Sequence, residues 1–420
     1  MTTAPTQAES QRLLLQLLDP ANRADPYRLC RQFRDLGPLR LSESNLAVFS
    51  AYRDCDEILR HPSSSSDNMK STVAKRQIEA GLERPRQVPP GFLFLDPPDH
   101  TRLRRLVQAA FTRGRIEGLR PRVQAIVHEL LDGVAACGPG GRVDLVSTFA
   151  FPLPFTVICE LLGVPEPDRA PLGQGLTRLL VPTSTAAEYA RAKQASDAVV
   201  AMLGALAEAK RAAPDDDLIC ALISARDGDE RLDTQELLST IFQLIVAGHD
   251  TTTTLIGNSV VALLCNPGQL AKLQADPGKI PEAIEELLRY DAPVPHSTFR
   301  YATEPVPIGG VTIPAGSQVI ISLAAANRDR GRYPDADTLD IDRAGVRHLS
   351  FGHGIHHCLG ATLARMEGQL ALGSLLSRFP QLRLAVPPAE LRWGHGDGLV
   401  LRGLSELPVI PGPATRSQAV

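Results

Sequence analysis

Apolar residues recur at three- and four-residue intervals through QRLLLQLL (11–18), TRLRRLVQAAF (101–111), VQAIVHELLDGV (123–134) and EYARAKQASDAVVAMLGALAEAKRA (188–212). That spacing gathers apolar side chains on one face, so each stretch predicts a helix turned towards a core. The longest candidate opens at Asp233, where Asp-Thr-Gln-Glu sets Glu236 as the second half of a capping box. It runs to about Cys265, ahead of Pro267. At about 1.5 Å per residue it reaches about 50 Å and must cross the core. Its middle, AGHDTTTT (247–254), interrupts the apolar run with Gly248, Asp250 and four threonines. These residues form helix poorly and compete for backbone bonds, so a polar task is expected there.

Strand patterns are fewer. LAVFSA (46–51), VPIGGVTIPAGSQVIIS (306–322) and RLAVP (383–387) place β-branched residues around Gly-Gly or Pro-Ala-Gly turns. The predicted class is mainly α (α+β), a helical body with small sheets, in a single domain over residues 1–420 whose ends, 1–19 and 411–420, are flexible. Residues 62–91 are polar and turn-rich and predict an unstructured connection, either a functional lid or a plain surface loop. No internal repeat is apparent.

Composition excludes more than it selects. The 420 residues are 43% hydrophobic and 22% charged, ordinary for a globular protein with a large core. A net charge of -3 from 44 basic and 47 acidic residues supplies no global field to attract nucleic acid or an anionic membrane. The seven cysteines (30, 55, 137, 159, 220, 265 and 358) are an odd, scattered set with no CxxC pair, which predicts reduced thiols in a cytoplasmic setting. MTTAPTQAES lacks a basic-then-apolar leader, and no stretch reaches the roughly 18 apolar residues of a membrane span, so no membrane anchor is expected.

The candidate chemistry concentrates in FGHGIHHCLGA (351–361). Zinc is one reading of His353, His356, His357 and Cys358, although structural zinc takes four tetrahedral ligands, usually from two segments, and adjacent His357 and Cys358 do not easily both turn inward. A buried, inert cysteine is a second, and it leaves the glycines unexplained. The third is haem iron held by a thiolate. Gly352, Gly354 and Gly360 would let a flat macrocycle approach the main chain, Phe351 would screen the sulfur, and the helix beginning near Gly360 would direct its amides at Cys358.

Phe351-Gly-His-Gly-Ile-His-His-Cys358-Leu-Gly360 resembles the haem-binding signature of cytochrome P-450 enzymes. DHTRLRR (99–105), AGHDTT (247–252), EELLR (285–289), FRYAT (299–303) and ANRDRGRYPDADTLDIDR (326–343) are similar to further family motifs in the same order, over about residues 20–410. Tyr333 departs from the Phe more usual there. The resemblance implies the cytochrome P-450 fold, haem b, and a haem-thiolate monooxygenase that hydroxylates or epoxidises a lipophilic small molecule of steroid, terpenoid or polyketide/macrolide type. Oxidative C–C coupling, peroxide-driven turnover and a non-catalytic haem sensor are the alternatives.

Residue by residue, the resemblance makes Cys358 the iron ligand and His100, Arg104, Arg300 and His356 the partners of the haem propionates. Phe351, Gly352 and Gly360 cradle the cofactor, and Ala247 and Gly248 leave room for O2. Asp250 and Thr251 are the acid and alcohol that deliver protons, with His249 turned away and given no role. Glu286, Arg289 and Arg343 hold the surrounding structure. Pocket walls come from Phe92, Leu93, Phe94, Leu244, Ala247, Val294, Phe299, Leu399 and Val400, with His296, Ser297 or Thr298 orienting one polar group. No flavin or iron–sulfur segment and no GxGxxG is evident. Electrons from NAD(P)H are therefore expected through a separate ferredoxin and ferredoxin reductase, docking near Arg102, Arg105, Arg347 and Arg365 of a monomer.

Overall fold

The computed structural model describes residues 7–41, 44–79, 91–179, 186–394 and 401–415. Its axis is the helix Thr234–Leu264, hereafter the central helix. The expected capping box starts it: Asp233 Oδ1 accepts from the Glu236 amide at 2.8 Å, and the Glu236 carboxylate accepts from the Asp233 amide at 2.9 Å. The polar stretch does not break the helix. The hydroxyls of Thr251, Thr252 and Thr253 donate to the carbonyls of Ala247, Gly248 and His249, four residues back, so their polar groups are satisfied within the helix itself.

Pro152–Leu162, Ala186–Ala212 and Ala361–Arg378 pack along this axis and enclose the main core, in which Ile241, Ile245, Ile256 and Leu263 are inaccessible to water. Three small sheets flank the helices. The largest runs in the order Leu39–Leu41, Leu46–Phe49, Gln318–Ile321, Arg300–Ala302, Ser64–Ser65, parallel only between the second and third strands. Val306–Ile308 and Val311–Ile313 form the hairpin expected around Gly309-Gly310. The third sheet joins Val143–Asp144, Pro408–Ile410 and Arg383–Leu384.

One expectation is corrected. Residues 62–91 are not an unstructured connection: they hold the strand Ser64–Ser65 and the helix Thr72–Glu79, anchored where the Thr72 amide donates to Gly316 O at 3.2 Å, while 80–90 lie outside the described residues. Of the ends, residues 1–6 and 416–420 lie outside the described residues, and the described parts make contacts with the body. Helix Gln7–Leu18 buries Leu13 against Leu29 and Phe33, and Thr415 bonds Ser377 and Arg378.

Below the core, Glu286 and Arg289 share one face of Ile280–Tyr290, wholly buried. The guanidinium meets the carboxylate at 2.6 and 2.8 Å, and its remaining N–H groups donate to the carbonyls of Asn327, Ala336 and Thr338. Arg343 adds a second donor to Glu286 at 3.2 Å. Because both charges lack water, removing one leaves the other stranded, at a typical cost of about 3 to 5 kcal/mol. Arg289→Ala is expected to lower unfolding stability by about that amount, read from urea denaturation; a change below about 1 kcal/mol would contradict a sealed pair.

Candidate active site

A cavity with about 1400 Å³ of atom-free space, including its mouth, opens between the central helix and the 351–361 loop. Cys358, Phe351, Gly352, His356 and Gly360 line it, as do Leu244, Ala247, Gly248 and Thr251 of the central helix. The helical step explains that second set. Residues 244, 247, 248 and 251 recur at three and four and share one face, with Gln243 beside them.

The cysteine loop is shaped by its glycines, each for its own reason. Gly352 has φ +67°, a left-handed backbone that other residues adopt poorly. Gly354, φ +74°, is needed for packing rather than for a ligand, since a Cβ there would sit 2.7 Å from the Leu59 carbonyl oxygen. At Gly360 an added Cβ would meet nothing within 4 Å. The Cys358 amide donates to Phe351 O at 2.9 Å, folding the loop so that the sulfur faces the cavity. Burial pushes the Cys358 thiol up, opposed by the Gly360 amide and by Arg104 and Arg365. The helix terminus therefore does not produce the thiolate alone, and a bound metal cation is what removes a coordinating thiol's proton.

Four nitrogen-bearing side chains gather at one end. Arg104, Arg300 and His356 line the cavity, and His100 lies against His356 with ring centroids 4.3 Å apart. His100 is 2% exposed, yet neither ring nitrogen has a hydrogen-bond partner among the described residues, and His356 Nδ1 has none either. Its Nε2 meets Ser66 Oγ at 3.0 Å. Desolvation, reinforced by Arg300, His100 and Arg104, pushes His356 down to about 3, and desolvation lowers Arg300 to about 10. The carboxylate that acts on His100 and Arg300, Asp96, is engaged by Ser65 and Ser66. Such a cluster is short of negative charge and of acceptors, which a ligand carrying carboxylates supplies. Paired with a cysteine sulfur under an apolar roof, it fits haem. Zinc lacks its ligands: among the described residues no three His, Cys, Asp or Glu converge to hold a metal ion.

Of the expected pocket walls, Phe92, Leu93, Leu244, Ala247, Val294, Ser297 and Thr298 line the cavity. Phe94 and Phe299 do not. Phe92–Phe94 is a single 3-10 turn, which sends Phe92 inward, 4% exposed, and leaves Phe94 43% exposed. Thr298 and Arg300 line the cavity, whereas Phe299 between them does not and is 41% exposed. His296 is also away from the cavity, bridged to Ser322 and pushed down to about 4 by burial. Leu399 and Val400 lie outside the described residues.

Asp250 is 2% exposed and does not line the cavity, whereas Thr251 does. His249 is turned away but not idle: its Nε2 stands 3.1 Å from Asp250 Oδ1. Three of the four docking arginines are already paired, Arg102 with Glu236, Arg105 with Asp227 and Arg365 with Glu285. Sequence reasoning also missed Gln243, whose Oε1 accepts from the Leu93 amide at 3.3 Å where Gly91 leaves room for it, and Glu367, 1% exposed in Ala361–Arg378. A glutamine on the cavity face of a core helix was a readable signal. Glu367 gave none, since acidic residues on helices are usually solvated.

The profile described as Cytochrome P450 matches residues 176–279 and 280–391. Cytochrome P450 107B1 of Saccharopolyspora erythraea is 47% identical over 87% of this chain and 89% of that protein. Mycinamicin IV hydroxylase/epoxidase of Micromonospora griseorubida is 47% identical over 78% and 81%. Mycobacterium smegmatis CYP164A2, ligand-free, superposes with a TM-score of 0.86 at 43% identity, covering 95% of this chain and all of that one. The chain belongs to the cytochrome P450 family. It is a haem b monooxygenase that hydroxylates or epoxidises lipophilic small molecules with O2 and NAD(P)H-derived electrons from redox partners. No helix among the described residues is long and apolar enough to cross a membrane.

Burial pushes Glu367 up to about 8 from an ordinary 4.5. The folded state therefore keeps a proton that the unfolded chain sheds, and stability present in acid is lost as pH rises from about 4.5 to about 8. Glu367→Gln removes that loss and is expected to stabilise the protein by about 3 kcal/mol at neutral pH relative to its effect in mild acid. Thermal unfolding at the two pH values checks this, and equal shifts would contradict it.

Proposed function

We propose that this enzyme hydroxylates or epoxidises an oxygen-bearing, macrolide-like substrate, with Cys358 as iron ligand, His100, Arg104, Arg300 and His356 as propionate partners, and Asp250 and Thr251 as the proton relay. One observation carries the assignment: Cys358 and Thr251 line the same cavity, whose remaining walls are mostly apolar. The likeness to a mycinamicin IV hydroxylase/epoxidase supports the substrate class.

Haem b, when bound, supplies the iron centre at which O2 is cleaved with two electrons and two protons. The protein supplies the rest. The Thr251 hydroxyl donates to Ala247 O at 2.7 Å, so its oxygen lone pairs are left to accept a proton from the Asp250 side and pass one on. Phe92, Leu244 and Val294 exclude water and hold the substrate skeleton. Ser297 and Thr298 spend their polar groups on backbone and on Arg300. Orientation therefore falls to Gln243: with Oε1 held by Leu93, its amide N–H groups are the donors for a substrate carbonyl or ether oxygen. Electrons arrive from a ferredoxin at the cysteine face, where Arg347 and Ile355 are exposed.

The reduced carbonyl complex is expected to show the absorption band of sulfur-ligated haem, lost in Cys358→Ala; a band unchanged in that variant would overturn the ligand assignment. Thr251→Ala is expected to retain haem while product formed per NAD(P)H falls about tenfold and hydrogen peroxide rises. Unchanged coupling would remove Thr251 from the relay.

A further inference from the structure

Arg402 is 7% exposed, and it ties several separate stretches of chain together. Its guanidinium donates to both oxygens of Asp291, at 2.5 and 2.7 Å, and to the carbonyls of Arg23 and Ala24, at 3.1 and 2.8 Å. It also lies over the Trp393 ring, 3.8 Å from the centroid. The main chain of Arg402 adds two bonds. Its amide donates to Pro293 O at 2.9 Å, and its carbonyl accepts from Asn258 Nδ2 at 2.8 Å.

Two of these partners bear on the cavity. Pro293 and Val294 line it, and Arg402 holds the chain on either side of Ala292, at Asp291 by its side chain and at Pro293 by its amide. Asn258 belongs to the central helix, seven residues beyond Thr251, which is two turns and about 10 Å along nearly the same face. The far end of the wall is held separately, by the Ser297 amide on Ile321 O at 2.9 Å and by the Ala324 amide on Pro295 O at 3.0 Å. Neither Pro293 nor Pro295 has an N–H of its own to fix the near end. That end therefore stands where Arg402 places it against the helix that carries Thr251. A guanidinium suits this task, because a planar fork shut away from water cannot shift without breaking several bonds at once.

We propose that Arg402 is a specificity-determining positioning residue: closed on Asp291, it sets where the Pro293–Val294 wall stands against the central helix, and so which shapes of guest the cavity admits. Asp291 is its counterpart, and the Tyr27 hydroxyl, which donates to Asp291 Oδ1 at 2.6 Å, completes the cluster. The inference concerns the shape of the cavity and holds whichever class of substrate the enzyme oxidises.

The probes are 1-phenylimidazole and 4-phenylimidazole, nitrogen ligands of one composition and two shapes. Each is titrated into the ferric holoenzyme and followed by the shift of the haem absorption band. Arg402→Lys keeps the charge and loses the fork, and Asp291→Asn keeps the size and loses the charge. Either is expected to change the ratio of the two dissociation constants by about tenfold, the scale on which an apolar pocket discriminates one methylene. Tyr27→Phe removes a bond to the same carboxylate and touches neither link to the wall. It is expected to lower the melting temperature and leave the ratio as it was. The paired replacement of Arg402→Met with Asp291→Leu removes both buried charges together and is read in the same way, which covers failure of a single variant to fold. A lower melting temperature with an unchanged ratio in the Arg402 and Asp291 variants would show a structural strut alone and overturn the proposal. An equal change of ratio in Tyr27→Phe would trace the effect to general loosening and overturn it too.

Discussion

A guanidinium and a carboxylate shut away from water hold the cysteine loop where it is. Arg289 bonds both oxygens of Glu286 and the Asn327 carbonyl. The Asn327 side chain then bonds the Leu349 amide and the Ser350 hydroxyl, and Ser350 returns to Leu288 O, one residue before Arg289. The next residue is Phe351, where the haem loop begins. Surface pairs such as Arg31–Asp337, with the arginine side chain 45% exposed, are worth little because water competes for both partners. The buried pair differs, since every polar atom must be satisfied inside the protein and each satisfaction constrains another segment.

The opposite condition holds at the other end of the loop. His100 and Arg300 are buried and His356 is half-buried, and His100 Nδ1, His100 Nε2 and His356 Nδ1 have no hydrogen-bond partner among the described residues. One polar cluster is closed and rigid, and the other is left for a ligand to complete. Their combination couples cofactor binding to the fold, because a group that supplies the missing charge binds the folded state only.

Much of this was readable from residues alone, for identifiable reasons. The capping box at Asp233 and the 351–361 loop are local patterns, and local patterns survive in sequence. The helix Thr72–Glu79 was missed because turn residues around it hid an ordinary helical octet whose anchor, Gly316, lies far along the chain. Phe94 and Phe299 were placed in the pocket by position in a motif. The 3-10 turn at Phe92–Phe94 and the local backbone before Arg300 decide side-chain direction residue by residue, which a motif does not record. Arginine pairing was invisible for the same reason: Arg105 and Asp227 are far apart in sequence.

The cavity that accepts a lipophilic guest is for that reason a poor conductor of protons. Its walls are mostly apolar, so on the proposed relay protons come through the helix that forms one wall rather than through the space it encloses. A helix can do this only by giving up apolar side chains in its middle, and the run from His249 to Thr253 is where this one does so. The threonines keep the helix intact by bonding backward to its own carbonyls, and the acid sits between the two faces. On that reading, polar residues that lower helix propensity stand where an apolar wall would have to pass charge without passing water.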